Sequence, residues 1–217
     1  MQTRNELRER MREAFVKAYP DKFKSLEDLP LEKMLTTLEK EGITTDDYMQ
    51  VSTPVRFSYT IDKAGITLEG RVLDLCSASI SIASVYDKEK VVCYEFMTDM
   101  VEKLSKKGVK TVQANIRDKY FPFKNKSFDY LFCEGFPLAP YTNKDFYESS
   151  AAIADKDEYV KNVIKEMIRV TKKKVIICSI PIMMHFPKKY EKRIEKWDGT
   201  YCIILLDCRK NYKKKKI

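Results

Sequence analysis

The chain has 217 residues, of which 44 % are hydrophobic and 34 % charged, with a formal net charge of +9. This is the composition of a soluble globular protein, long enough for one sizeable α/β domain with a helical extension. No run of about 18 apolar residues exists to span a membrane, and the N-terminus, MQTRNELRERMREAF, lacks the apolar core of a signal peptide, so no membrane association and a cytoplasmic location are expected.

Residues 3–19 read as an amphipathic helix, with Leu7, Met11 and Phe15 four apart and Pro20 as the stop. A second helix is expected from Leu31, after Pro30, through Met34, Leu35 and Leu38 to Gly42. Thr44-Thr45-Asp46-Asp47 is a capping signal for a short third helix limited by Pro54, and residues 56–66 suggest another. From Arg71 the pattern changes. Short apolar runs appear at 71–76, 91–95, 110–115, 128–133, 174–180 and 201–207, with helix-like stretches at 97–107, 144–171 and 187–197 between them. Strands alternating with helices predict a doubly wound, mostly parallel sheet with helices on both faces. The strands are nearly continuous apolar runs, as burial of both faces requires.

The six cysteines, Cys76, Cys93, Cys133, Cys178, Cys202 and Cys208, fall in or at the ends of these strands, where a free thiol acts as a small buried hydrophobe. No C-x-x-C pair occurs and His185 is the one histidine, so no metal site is expected. The charge is uneven: residues 1–155 hold 23 Lys and Arg against 25 Asp and Glu, and residues 156–217 hold 18 against 7. The excess lies in TKKK at 171–174, PKKYEKRIEK at 187–196 and KKKK at 213–216. Such asymmetry suggests attraction to nucleic acid, and the plain alternative is a solvated lysine surface.

In a doubly wound sheet, ligands bind at the carboxyl ends of the strands. The first strand ends at Asp74-Leu75-Cys76, the second at Glu95, and the third at Ala114-Asn115. An acid at Glu95 suits a ribose diol, and the Asn115 amide suits the edge of an adenine. The plainer alternative has Glu95 capping the next helix.

These residues, with the Val-x-x-x-Glu strand and "VQANIRDKYFPFKNKSFDYLF", resemble class I S-adenosylmethionine-dependent methyltransferases over roughly residues 70–180. "FPFKNKSFDYLF" is similar to the LPF-x-x-x-x-FD-x-V segment of small-molecule methyltransferases. The resemblance implies a Rossmann-like methyltransferase fold, usually of seven strands, and S-adenosylmethionine as cofactor. It implies that Glu95 holds the ribose, that Asn115 reads the adenine, and that Asp74 orders the loop near the methionine part. Where the family has D-x-G-x-G-x-G, this chain has Asp74, Cys76, Ala78 and Ile80. Cys76 and Ala78 are small enough to leave room, whereas Ile80 is β-branched and poorly suited to positive φ. "DLCSASIS" also looks like the DLC-A-A-P-G-G turn of some RNA methyltransferases.

The segment after the fourth strand, Cys133 to Tyr141, lies where the family places acceptor-contacting residues. Glu134 is a candidate base or hydrogen-bond acceptor, Phe136 and Tyr141 are candidates to flank a planar acceptor, and His185 is a second candidate base. The chain lacks the N-P-P-Y turn and the Pro-Cys nucleophile of two DNA-methylating chemistries. The expected organisation is a helical cap over 1–68, read as a lid with Tyr48, Phe57 and Tyr59 as aromatic walls or core, and a methyltransferase-like domain over 69–217. The expected function is methyl transfer from S-adenosylmethionine to an acceptor, small molecule or RNA; the alternative is an inactive scaffold or nucleic-acid-binding module. Six strands are counted after Arg71, so an edge strand is missing or supplied by a second copy in a homodimer.

Overall fold

The structure, a computed structural model, describes residues 2–116, 118–134, 156–179, 191–197 and 201–211. The chain divides into two compact units, Met1–Gly65 and Ile66–Ile217.

The first unit holds three α-helices: α1 (Gln2–Ala18), α2 (Met34–Lys40) and α3 (Thr45–Ala64). Leu7, Met11 and Phe15 form the buried stripe of α1, as their spacing predicts. Arg10 and Lys63 tie α1 to the end of α3 through Asp62 and Glu6, both at 2.7 Å, and both cations lie over the buried Tyr59 ring. Phe57 is buried as well, and Tyr48 stacks on Phe15 with ring centroids 5.4 Å apart.

The expected break at Pro54 does not occur, because α3 runs through it as one helix that absorbs both predicted pieces. An interior proline costs about 3 kcal/mol through its missing N–H and its ring clash. Both ends of α3 are well closed. The Asp47 N–H donates to Thr44 Oγ1, the Thr44 N–H donates to Asp47 Oδ2, and Gly65 takes the left-handed C-terminal position. Around the proline, the Arg56 guanidinium donates to the hydroxyls of Ser52 (3.1 Å) and Thr53 (2.8 Å) and binds the interrupted turn from the side.

The second unit is a seven-stranded sheet of β1 (Val72–Leu75), β2 (Val91–Glu95), β3 (Lys110–Gln113), β4 (Phe128–Glu134), β5 (Thr171–Ser179), β6 (Glu191–Trp197) and β7 (Tyr201–Asp207). Its order is β3-β2-β1-β4-β5-β7-β6. Strands β1 to β5 run parallel, and β7 lies antiparallel to β5 and β6. Helix α4 (Thr98–Lys106) connects β2 to β3, and α5 (Lys156–Val170) leads into β5.

Two expectations are corrected here. The stretch 187–197, expected as helix, holds β6 instead, and β6 is the strand that the count of six had missed. Its residues, EKRIEKW, favour helix by propensity, but pairing with β7 decides otherwise. A charged strand with a register shift between Arg193 and Glu195 suits a sheet edge. The second correction is at Thr171, which was expected to end a helix and instead opens β5, three residues before the strand expected from 174.

Register fixes which residues share a face. Leu73, Leu75, Val92, Leu131, Val175 and Ile177 lie on one face, where α5 lays Val163, Ile164, Met167 and Val170. By the pleat alternation, Asp74, Cys93, Glu95, Phe132 and Glu134 share the other face.

A buried acid on α5 locks the turn before β4. The Phe121 N–H donates to Glu166 Oε2 at 2.7 Å, and Arg169 grips the same carboxylate through Nε (2.7 Å) and one terminal nitrogen (2.6 Å). The Arg169 terminal nitrogens also donate to the carbonyls of Phe121 (3.0 Å) and Phe123 (2.7 Å). Glu166→Ala would strand the Phe121 N–H inside the protein, where an unmade hydrogen bond costs about 1–3 kcal/mol. Urea denaturation of the variant should show a midpoint lowered by a loss of that order, with an unchanged m-value.

Candidate functional site

The strand order reverses between β1 and β4, since the chain winds from β1 toward β3 on one side and continues at β4 on the other. A crevice opens at such a switch point beyond the carboxyl ends of the strands. Asp74, Glu95 and Glu134 come to this edge on one face, and Asn115 follows two residues after β3 ends beside them.

The turn that leaves β1 has an unusual backbone. Cys76 (φ 59°) and Ala78 (φ 47°) both sit in the left-handed region, which costs a residue with a Cβ roughly 1–2 kcal/mol. These are the first two positions where the resemblance implies glycine. Ile80, the third, does not take a positive φ, so its β-branch meets no backbone strain there. Ile80 is buried, whereas Ala78 is exposed and Cys76 half-buried.

Glu95 holds the turn in place. Its Oε2 accepts the Ala78 N–H at 2.9 Å, and its Oε1 accepts the N–H groups of Phe96 (2.7 Å) and Met97 (3.1 Å), just ahead of α4. The residue is 8 % exposed. Glu95 therefore binds the turn after β1 and the two residues ahead of α4, whose first turn carries no side-chain cap. From α4's far end, Lys107 Nζ donates to the Ser79 carbonyl at 2.9 Å. No α-helix follows β1; residues 76–90 hold two 3₁₀ turns, Ile82–Ser84 and Lys88–Lys90.

Asp74 is 1 % exposed and accepts the Ile82 N–H at 2.8 Å. Burial lifts its carboxyl to about 7; hydrogen bonds from Ser81, Ile82 and Ser77 oppose the rise, and the charge of Glu134 adds to it. Asn115 is half-buried, and its carbonyl accepts the Tyr94 hydroxyl at 2.9 Å. Tyr94 packs against Phe121 with centroids 5.1 Å apart, so the α5 clasp on Phe121 reaches Asn115 through one ring.

Glu134 closes β4 and is half-buried at the same edge. The other expected acceptor-side residues, Phe136, Tyr141 and His185, lie outside the described residues. Cys76, Cys93, Cys133, Cys178 and Cys208 are free thiols. Burial pushes Cys93 up to about 12 and Cys208 to about 11, and it raises Cys133 further beside the Cys76 sulfur. Thiols so far from ionising are not nucleophiles. Among the described residues no three His, Cys, Asp or Glu side chains gather as metal ligands, and no helix is long and apolar enough to cross a membrane.

Sequence reasoning missed Glu166, Arg169 and the Tyr94 hydroxyl. One signal was legible for the first: Glu166 interrupts the apolar stripe Val163, Ile164, Met167 and Val170, and an acid there needs a buried partner.

The reversal beside β1, the left-handed turn at its mouth and the antiparallel seventh strand decide the architecture. The chain has a Rossmann-like fold, a doubly wound, mostly parallel sheet with one antiparallel strand. No family model and no curated protein matches it. Solved structures are similar to it at low identity. TrmN from Thermus thermophilus aligns with a TM-score of 0.49 and 14 % identity over 82 % of this chain and 53 % of its own. The PH0226 protein from Pyrococcus horikoshii OT3 aligns at 0.49 and 15 % over 76 % and 92 %. Geranyl diphosphate C-methyltransferase from Streptomyces coelicolor A3(2), solved with S-adenosyl-L-homocysteine, aligns at 0.46 and 8 % over 68 % and 51 %. The chain spans about half the length of several structures it matches. Likenesses this distant bear on neither activity nor substrate, and the fold is read from the chain's own strand order.

Two outcomes follow from this geometry. The folded-state pKa of Asp74 lies above its unfolded value, so its contribution to stability is present below about pH 4 and lost as pH rises through about 7. Asp74→Asn should flatten the decline in urea midpoint across that window. Ala78→Gly removes a Cβ from an exposed left-handed position and should stabilise the protein by about 1 kcal/mol, read as a raised melting temperature.

Proposed function

We propose that this chain is an S-adenosylmethionine-dependent methyltransferase whose cofactor lies across the carboxyl ends of β1, β2 and β3. The observation that carries the reading is the left-handed backbone at Cys76 and Ala78. Strain of this kind persists where the surroundings enforce it, and it clusters at ligand-binding turns. With small side chains at both positions and Ala78 exposed, the turn keeps the backbone shape that glycines would supply. In this reading Asp74, Cys76 and Ala78 line the methionine side, Glu95 takes the ribose diol, and Asn115 takes the adenine edge. A carboxylate has about four acceptor positions, and Glu95 uses three on backbone N–H groups, which leaves one for a single hydroxyl of the diol.

The absence of an α-helix after β1 fits this cofactor better than a dinucleotide. A helix N-terminus in that place serves a pyrophosphate, and S-adenosylmethionine carries no phosphate. When bound, the cofactor supplies an electrophilic methyl group on a sulfonium. The protein's share is to hold the acceptor at near-attack distance and, where the acceptor has a proton to lose, to accept it. Glu134, beside Asp74 at the end of β4, is the described residue suited to that role. Phe136, Tyr141 and His185 are the remaining candidates for the acceptor side.

A second reading, an inactive scaffold with the same fold, has two observations in its favour: Glu95 is already committed to three backbone donors, and Ile80 is buried beside the turn. Calorimetry with S-adenosylmethionine and S-adenosylhomocysteine separates the two. The methyltransferase reading expects both to bind, Glu95→Gln to weaken binding by about tenfold or more through the lost charge-assisted hydrogen bond, and Ala78→Gly to bind at least as well as the wild type. No heat of binding at millimolar cofactor would leave the scaffold.

A further inference from the structure

We propose that the edge of the sheet opposite the β1 turn is a nucleic-acid docking surface that grips the phosphate backbone. Basic residues far apart in the chain are brought to one edge by the two antiparallel strands. TKKK at 171–174 opens β5. Lys174 is the register partner of Asp207, which closes β7, and Glu191, which opens β6, is the partner of Leu206. The start of β5, the start of β6 and the end of β7 therefore share an edge. Arg209 and Lys210 follow β7 there, and Lys192 and Arg193 stand in the first residues of β6.

The acids at this edge do not neutralise it. Lys172 meets Asp129 at 3.8 Å and Lys173 meets Glu69 at 3.9 Å, with side chains of both lysines well exposed. Surface pairs of this length contribute at most about 1 kcal/mol, so phosphate oxygens compete for the same ammonium groups. Arg209, more exposed still, is held by Asp207 at 2.7 Å, and Glu191 adds a second acid. Lys126, also nearby, is spent on the Ile168 and Thr171 carbonyls.

The chemistry favours phosphate contact over base readout. Tyr130, the ring beside Lys173, is 7 % exposed and offers no stacking platform. Contacts of lysine and arginine with phosphate carry no sequence information. The seven residues of β4 put about 20 Å between this edge and the candidate site, so a strand docked here is tethered without covering the site. The inference stands whether or not the cofactor binds.

The test is fluorescence anisotropy on the full chain, without cofactor, using a labelled RNA strand and a DNA duplex of about 20 nucleotides and arbitrary sequence. With about four phosphates neutralised, affinity should fall roughly a hundredfold between about 50 and 200 mM salt. Lys172→Gln/Lys173→Gln/Arg209→Gln should bind at least tenfold more weakly with a shallower salt dependence. Lys172→Gln alone, at an exposed position, should weaken binding severalfold if the triple variant does not fold. Absence of binding to either probe at 50 mM salt, variants that bind like the wild type, or tighter binding to phosphatidylserine vesicles than to either nucleic acid would each overturn it.

Discussion

The Glu95 carboxylate is the constraint around which the rest of the site is arranged. It accepts the Ala78 N–H from the turn after β1 and the Phe96 and Met97 N–H groups ahead of α4. Those donors come from two segments that would otherwise meet only through the sheet. The bond to Ala78 is charge-assisted, roughly twice as strong as one between neutral groups. It offsets much of the cost of keeping a residue with a Cβ in the left-handed region. The turn also has a floor. Asp74 accepts the Ile82 N–H from below, and Ser77 Oγ donates to the Asp74 carbonyl. Two acids on adjacent strands thus shape a loop that in the resembling family relies on glycine.

The opposite face of the sheet explains why the edge is firm enough to carry a site. Helix α5 covers it with an apolar stripe, and the Glu166–Arg169 pair reaches beyond that stripe to the turn at Phe121 and Phe123. Phe121 packs on Tyr94, whose hydroxyl fixes the Asn115 carbonyl. The position proposed for the adenine is therefore linked to α5 through Phe121 and Tyr94. A buried carboxylate is costly unless paired and hydrogen-bonded, and Glu166 meets both conditions.

The sheet has two ends with different characters. One gathers acids at the switch point between β1 and β4. The other gathers lysines and arginines where β5 and β6 begin and β7 ends. The antiparallel β7 produces this division. Had it run parallel, the basic tail would leave at the acidic end. Under the proposed function, chemistry and polyanion attraction occupy separate edges, and Asp74, Glu95 and Glu134 do not repel a docked phosphate backbone at close range.

Much of this was legible in the chain itself, because local signals and burial agreed. The apolar runs at 91–95 and 201–207 are strands with those bounds, and Leu7, Met11 and Phe15 are the buried stripe their spacing implied. The acids Asp74 and Glu95 were readable as residues at the ends of strands, whereas Glu134, expected in the loop after the fourth strand, closes β4. Tertiary structure decided what local pattern could not encode. EKRIEKW became an edge strand because β7 offered it hydrogen bonds, and one helix crossed Pro54 because both its ends were capped. That Cys76 and Ala78 are left-handed is invisible in their identities, since neither favours that backbone; tertiary partners hold it, the Tyr94 carbonyl accepting the Cys76 N–H and the Glu95 carboxylate, 17 residues on from Ala78 and brought close by parallel pairing, accepting the Ala78 N–H.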